Sequence, residues 1–217
     1  MTIVRYGGHE SQFCEVTGEG EPTVVLLHGG FWRARYGLDL MRPMAADFAA
    51  RGWAVANVEY RRVGDGGGFP ATLEDVAAAC RALIGPLVAV GHSAGGHLAL
   101  WLAGEGLVAA AVSLCGVCCL EEGGRDRLGR GAVEDFMGGS TDWARADPRR
   151  RLPTGVPTVL IHGTRDRTVP VRQSRRYAEA AGDECTLAEY PGGHFEVIEP
   201  GSIAWPSIVS AVEQTTR

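Results

Sequence analysis

The segment GHSAG, Gly91 to Gly95, sets one hydroxyl between two glycines where the apolar run PLVAVGH (86 to 92) gives way to a helical run. A G-x-S-x-G pattern between a strand and a helix has a physical meaning. The turn is too sharp for side chains at its flanks, so the serine projects at the sheet edge beside a helix N-terminus. A serine hydroxyl is a weak nucleophile and needs a base, which an acid must hold in the working tautomer. Six histidines compete for the first role. His92 adjoins Ser93, His97 lies about one helical turn beyond it, His28 and His162 end apolar runs, and His9 sits near the N-terminus. His194 lies in the glycine-rich loop YPGGHFEV after the final strand-like run, where Gly192 and Gly193 let the backbone carry an imidazole over the sheet edge. Asp166, in HGTRDRTVP between the run 156 to 161 and Pro170, fits the acid. Asp142, Asp147 and Asp183 read more simply as helix-end or surface charges. The chain order of the set is Ser93, Asp166, His194.

Acyl transfer also needs donors for a developing oxyanion. In LLHGGFW, Gly29 and Gly30 let the backbone turn its N–H groups toward the site, and the N–H of Ala94 follows the nucleophile directly. Phe31, Trp32 and Phe195 flank these loops and are candidates to stack on an aromatic leaving group. Arg61 and Arg62, just past the run 53 to 60, are candidates to meet a carboxylate.

The elements that position these residues follow from hydrophobic pattern. Runs at 22 to 28, 53 to 60, 86 to 92, 107 to 115, 156 to 162 and 185 to 190 read as strands. Leu40, Met41, Met44 and Phe48 share one helical face, ended by Gly52; Leu73, Val76, Cys80 and Leu83 share another, with Thr72 and Asp75 spaced as a capping box. Near-continuous apolar strands alternating with amphipathic helices predict an α/β protein: a mostly parallel central sheet of about six to eight strands with helices on both faces. Ligands gather at the C-terminal edge of such a sheet. A length of 217 residues suits a single domain over 1–217, and the long connection 120–154 predicts a short cap above that edge.

Composition narrows the function classes. The net charge is −5 and all 21 basic residues are arginine, a balance that gives no support to nucleic-acid binding. The apolar runs are too short to span a bilayer, and the N-terminus lacks a secretory signal pattern, so the expected address is the cytoplasm with no membrane partner. Six cysteines in such a chain are expected to be reduced, and the group Cys115, Cys118, Cys119 lacks the second ligand pair of a zinc site, so no metal is expected.

Taken in order, HGGFW, GHSAGG, HGTRDRTVP and GGHF resemble the α/β-hydrolase superfamily, in particular its esterase and kynurenine-formamidase-like branch. The resemblance spans nearly the whole chain. It implies Ser93 as nucleophile, Asp166 and His194 as its partners, an oxyanion hole from Gly29, Gly30 and Phe31 with Ala94, and no cofactor. Fewer than 22 residues precede the first strong strand, which leaves room for one or two weak edge strands. The expected activity is hydrolysis of a small ester or amide through an acyl-enzyme. The alternatives are an aryl-formamidase acting on N-formylkynurenine-like substrates and a non-catalytic binding protein on the same fold.

Overall fold

The computed structural model describes residues 1–215. The chain opens with two short strands, β1 (Thr2–Arg5) and β2 (Phe13–Thr17), then enters the apolar β3 (Thr23–Leu27). There follow α1 (Arg42–Ala50), β4 (Ala54–Glu59), α2 (Ala71–Ala82), β5 (Leu87–His92), α3 (Ala94–Gly104) and β6 (Ala110–Leu114). The long connection contains α4 (Leu120–Arg125), α5 (Leu128–Met137) and α6 (Trp143–Ala146); the chain then runs through β7 (Thr158–Gly163), α7 (Arg172–Ala181), β8 (Cys185–Tyr190) and α8 (Trp205–Thr215).

All eight strands form one sheet in the order β1-β2-β4-β3-β5-β6-β7-β8. β2 pairs antiparallel with both β1 and β4, and every pairing from β4 to β8 is parallel. The chain steps from β3 outward to β4, then returns across β3 to β5, so the direction of winding reverses between β3 and β5. That is a topological switch point, where the connections leave both C-terminal ends in opposite directions and open a crevice. Leu27 pairs in register with Gly91, which brings the HGGFW loop and the GHSAG turn to the two lips of the crevice.

Strands β3 to β6 are buried on both faces, as their continuous apolar runs require. On one face α1 and α8 pack Met44, Phe48, Trp205, Ile208 and Val212 against β3 to β6, with Trp205 stacked on Phe48 at 5.3 Å. On the other face lie α2, α3, α7 and the 120–154 segment. α3 is apolar all round because it is covered on every side, and its residues from Ala94 to Ala103 are buried. Among the described residues no helix is long and apolar enough to cross a membrane.

One local expectation is corrected. Thr72 and Asp75 form no capping box: Pro70 occupies the N-cap of α2, and Thr72 lies inside the helix. Thr72 Oγ1 instead donates to the carbonyl of Arg61 at 2.6 Å and accepts from the N–H of Gly68 at 2.9 Å. The pair therefore ties down the loop after β4 rather than the helix end.

Candidate functional site

Ser93 joins β5 to α3 with φ 56° and ψ −115°. A non-glycine residue there carries strain of roughly 1–3 kcal/mol, which persists only where the surroundings enforce it. The flanking glycines show what enforces it. A methyl group on Gly91 would overlap the carbonyl of Gly95, and one on Gly95 would overlap the carbonyl of Leu27. Strand, turn and helix are thus in backbone contact. Gly96 is also constrained, since a methyl there would lie 2.5 Å from Ser113 Oγ and 2.8 Å from the Cα of Gly116. The helix begins at Ala94, directly after the serine. The first N–H groups of a helix have no partner within it, so Ala94 presents a free-ended donor next to Ser93.

Asp166 sits in the turn after β7, and its Oδ1 accepts from the N–H groups of Thr168 and Val169 at 2.7 and 2.9 Å. Its Oδ2 accepts from His194 Nδ1–H at 2.6 Å. A carboxylate only accepts, so Nδ1 carries the hydrogen, and in the neutral imidazole Nε2 keeps its lone pair. His162 Nε2 stands 3.4 Å from the same Oδ2 while donating to the carbonyl of Val169 at 2.9 Å. Burial alone would raise the Asp166 pKa, but the hydrogen bonds from His162 and His194 outweigh it and hold the carboxyl well below the usual range. His162 is thus a second support of the acid. Its only sequence signal is its place at a strand end, four residues before Asp166.

The loop after β3 reaches the same edge. Gly30, Phe31 and Trp32 all have left-handed backbone, with φ of 108°, 52° and 56°. Gly29 is pressed against the elbow: a methyl there would lie 2.9 Å from Ser93 Cβ. A cavity of about 100 Å³ opens between these pieces, lined by Gly30, Phe31, Tyr36, Leu40, His92, Ser93, Thr168, His194 and Phe195. It is far smaller than the roughly 300–1,000 Å³ of pockets that enclose drug-sized ligands. Its lining has no side chain of Asp, Glu, Arg or Lys. Larger hollows, such as one of about 510 Å³ beside Arg62 and Asp65, lie away from Ser93.

The three aromatic candidates separate. Phe31 and Phe195 line the cavity, Phe195 with 54% of its surface exposed. Trp32 does not. It is 0% exposed, stacked on Phe136 at 4.6 Å and edge-on to His97 at 5.2 Å, so it is a core residue that anchors the loop after β3 to α5. The left-handed turn at Trp32 sends consecutive aromatic side chains to opposite sides, one to the cavity and one to the core. Arg61 and Arg62 are likewise unavailable to a substrate. Arg61 is paired with Asp75 at 2.6 Å, and Arg62 is buried between Glu59 and Asp65 at 2.8 and 3.2 Å. Tyr36, Leu40 and Thr168 are site residues that the sequence pattern missed; Leu40 looked like part of a buried helical face.

The rival acids take the local roles expected of them. Asp142 caps α6 through the N–H of Arg145, and Asp147 caps the short turn that follows through the N–H of Arg149. The 120–154 segment is fastened to the site's flank: Phe69 N–H donates to the Phe136 carbonyl at 2.7 Å, and His97 Nε2–H to the Ala146 carbonyl at 2.9 Å. The ring of Phe31 rests on Gly129, where an added methyl would lie 2.8 Å from Cδ1.

Among the described residues, Cys115, Asp166 and His194 are the one group whose ligand atoms could surround a cation, all within 4.8 Å of one another. Two ligands on one tetrahedral ion stand roughly 3.3 Å apart, so a metal there would have to break the 2.6 Å bond between Asp166 and His194. Burial also pushes the Cys115 thiol far above its ordinary pKa. These residues do not fit a resident metal.

Comparison with known proteins agrees with the architecture. The family model BD-FAE matches residues 13–114, from β2 through β6. The structure of esterase B from Lactobacillus rhamnosis superposes with a TM-score of 0.81 at 21% identity, covering 100% of this chain and 84% of that one. Thermogutta terrifontis esterase 2 with bound butyrate gives 0.79 at 22% identity, covering 98% and 92%. The same esterase phosphoramylated by tabun gives 0.79 at 21%, again covering 98% and 92%. The chain has the α/β-hydrolase fold.

Proposed function

We propose that this chain is a serine esterase that cleaves small esters through a covalent acyl-enzyme, as one domain with residues 120–154 as a short cap. The observation that carries the reading is the 2.6 Å bond that leaves His194 Nε2 as a free base at the cavity where Ser93 stands on its strained turn. Ser93 Oγ attacks the ester carbonyl as Nε2 takes its proton. The carbon–oxygen bond to the leaving alcohol then breaks, and His194 returns the proton to that oxygen. Water repeats the sequence on the acyl-enzyme and releases the acid. Asp166 stays ionised throughout and stabilises the imidazolium that forms twice per cycle. In this reading the N–H of Ala94 and the backbone of Gly29, Gly30 and Phe31 donate to the oxyanion, each such donor being worth about 3–4 kcal/mol in the transition state.

The small, uncharged cavity favours short acyl groups, and exposed Phe195 and Tyr36 at its mouth suit a flat leaving group. The similar structures support the same reading: Thermogutta terrifontis esterase 2 is known with butyrate bound and phosphoramylated by tabun. The test is steady-state hydrolysis of p-nitrophenyl acetate and butyrate by the wild type and Ser93→Ala. Turnover by the first and none by the second is expected; a folded Ser93→Ala protein with wild-type rates would remove the reading.

A further inference from the structure

His92 fills the variable position before the nucleophile and has no part in the proton transfers above. It is 1% exposed. Its Nε2 lies 2.9 Å from the main-chain carbonyl of His194. A carbonyl only accepts, so Nε2 carries the hydrogen and Nδ1 the lone pair. Burial, with His194 nearby acting in the same sense, lowers the His92 pKa to about 3, so the ring is a neutral donor. Among the described residues its Nδ1 has no hydrogen-bond partner, and it faces the oxyanion-side loop, where a methyl on Gly29 would lie 3.0 Å away. The ring also packs on His194 and Phe195, with centroids 4.7 and 5.8 Å apart.

Just before His194, the bonds to the loop's main chain are made at Gly193. Tyr190 Oη–H donates to the Gly193 carbonyl at 2.6 Å, and Glu196 accepts from the Gly193 N–H at 2.9 Å. The His92 bond holds the carbonyl of the catalytic histidine itself. Turn, base loop and Gly29 therefore meet on one imidazole. Charge also matters here. A lysine or arginine in this place could donate as well, but its charge would oppose the imidazolium that forms on His194. The position calls for a donor without charge.

We propose that His92 is a positioning residue whose Nε2–H bond to the His194 carbonyl sets the catalytic imidazole over Ser93; this rests on the esterase reading of the site. His92→Met keeps bulk and loses the donor. His92→Asn keeps an amide too short to reach. His92→Gln extends an uncharged N–H to about the place of Nε2. Two readouts decide the matter in variants whose thermal unfolding shows them folded. The first is kcat and KM for p-nitrophenyl butyrate. The second is the low-field proton resonance of His194 Nδ1–H in substrate-free protein, which needs no turnover.

Misplacing a catalytic group by about 1 Å can cost on the order of 100-fold, so kcat should fall about 10- to 100-fold in His92→Met and His92→Asn. KM should change less than kcat: His92 also lines the cavity, so its replacement alters ground-state binding, but misplacing the base falls chiefly on kcat. His92→Gln should recover most of the lost kcat. The low-field resonance should shift or broaden in Met and Asn and persist in Gln. Wild-type kcat and an unmoved resonance in Met or Asn would overturn the proposal, as would Gln no faster than Met. If the wild type hydrolyses no ester, the esterase reading fails, while the resonance still reports whether His92 holds His194.

Discussion

At the scale of single residues, two aromatic side chains that look alike in sequence have opposite tasks. Trp32 is enclosed by Phe136 and His97, so Trp32→Ala should cost about 3–5 kcal/mol of stability as a core truncation. Phe195 is mostly exposed at the cavity mouth, so Phe195→Ala should change stability by roughly 0.5 kcal/mol or less and show its effect in kcat/KM. Urea midpoints and ester kinetics on both variants check the contrast; equal loss of stability would contradict it. A second expectation concerns Asp166, whose native pKa is depressed. The stability its ionised form contributes is fully present above the unfolded value of about 3.9 and is lost as pH falls through the lower native value. The advantage of wild type over Asp166→Asn should therefore be constant near neutrality and shrink on acidification below about pH 4. An advantage that grows on acidification would show the sign to be wrong. The triad candidates were legible in sequence because their loops are punctuated by glycine at strand ends. Trp32 was not, because a left-handed backbone pair reverses the side-chain direction that neighbouring positions would suggest.

At the scale of elements, the turn between β5 and α3 depends on backbone contact more than on side-chain packing. Neither Gly91 nor Gly95 can accept a methyl, because the atoms it would meet are main-chain carbonyls that cannot swing aside. Gly95→Ala should lose more than the roughly 1–3 kcal/mol of ordinary overpacking, and should depress activity even where folded protein is recovered. Gly106, where a methyl meets nothing within 4 Å, provides the control: Gly106→Ala carries only the strain of its positive φ of 68° and should leave kcat/KM unchanged. Equal activity of the two variants, by ester hydrolysis on folded fractions, would argue against a strained turn. The six strong strands could be read from their apolar runs. The order in which they pair could not, because β3 and β5 become neighbours only through the crossover that places β4 outside them. β1 and β2 left almost no pattern, being short, with β1 a largely exposed edge strand and β2 next to it.

At the scale of the whole molecule, the fold brings loops from β3, β5, β7 and β8 to one edge, and the helices of 120–154 lie against Phe31 on its flank. A site of about 100 Å³ should favour short acyl chains, so kcat/KM for p-nitrophenyl esters should fall from butyrate to decanoate. Each methylene weighs only about 1–3 kcal/mol at most, so the decline should be graded; a steady rise to decanoate would mean a long channel that this cavity does not provide. The architecture was readable because alternation of buried strands and amphipathic helices admits few topologies. The size of the site was not, since it depends on Tyr36, Leu40 and Thr168, which share no spacing with the catalytic set. The central claim is that Ser93 is the nucleophile, and it is tested most directly by covalent capture. Treated with a p-nitrophenyl phosphonate ester, the wild type should gain one phosphonyl group per chain on the peptide containing Ser93, with p-nitrophenol released and activity lost in proportion. Label on another residue, or equal labelling of folded Ser93→Ala, would contradict the account.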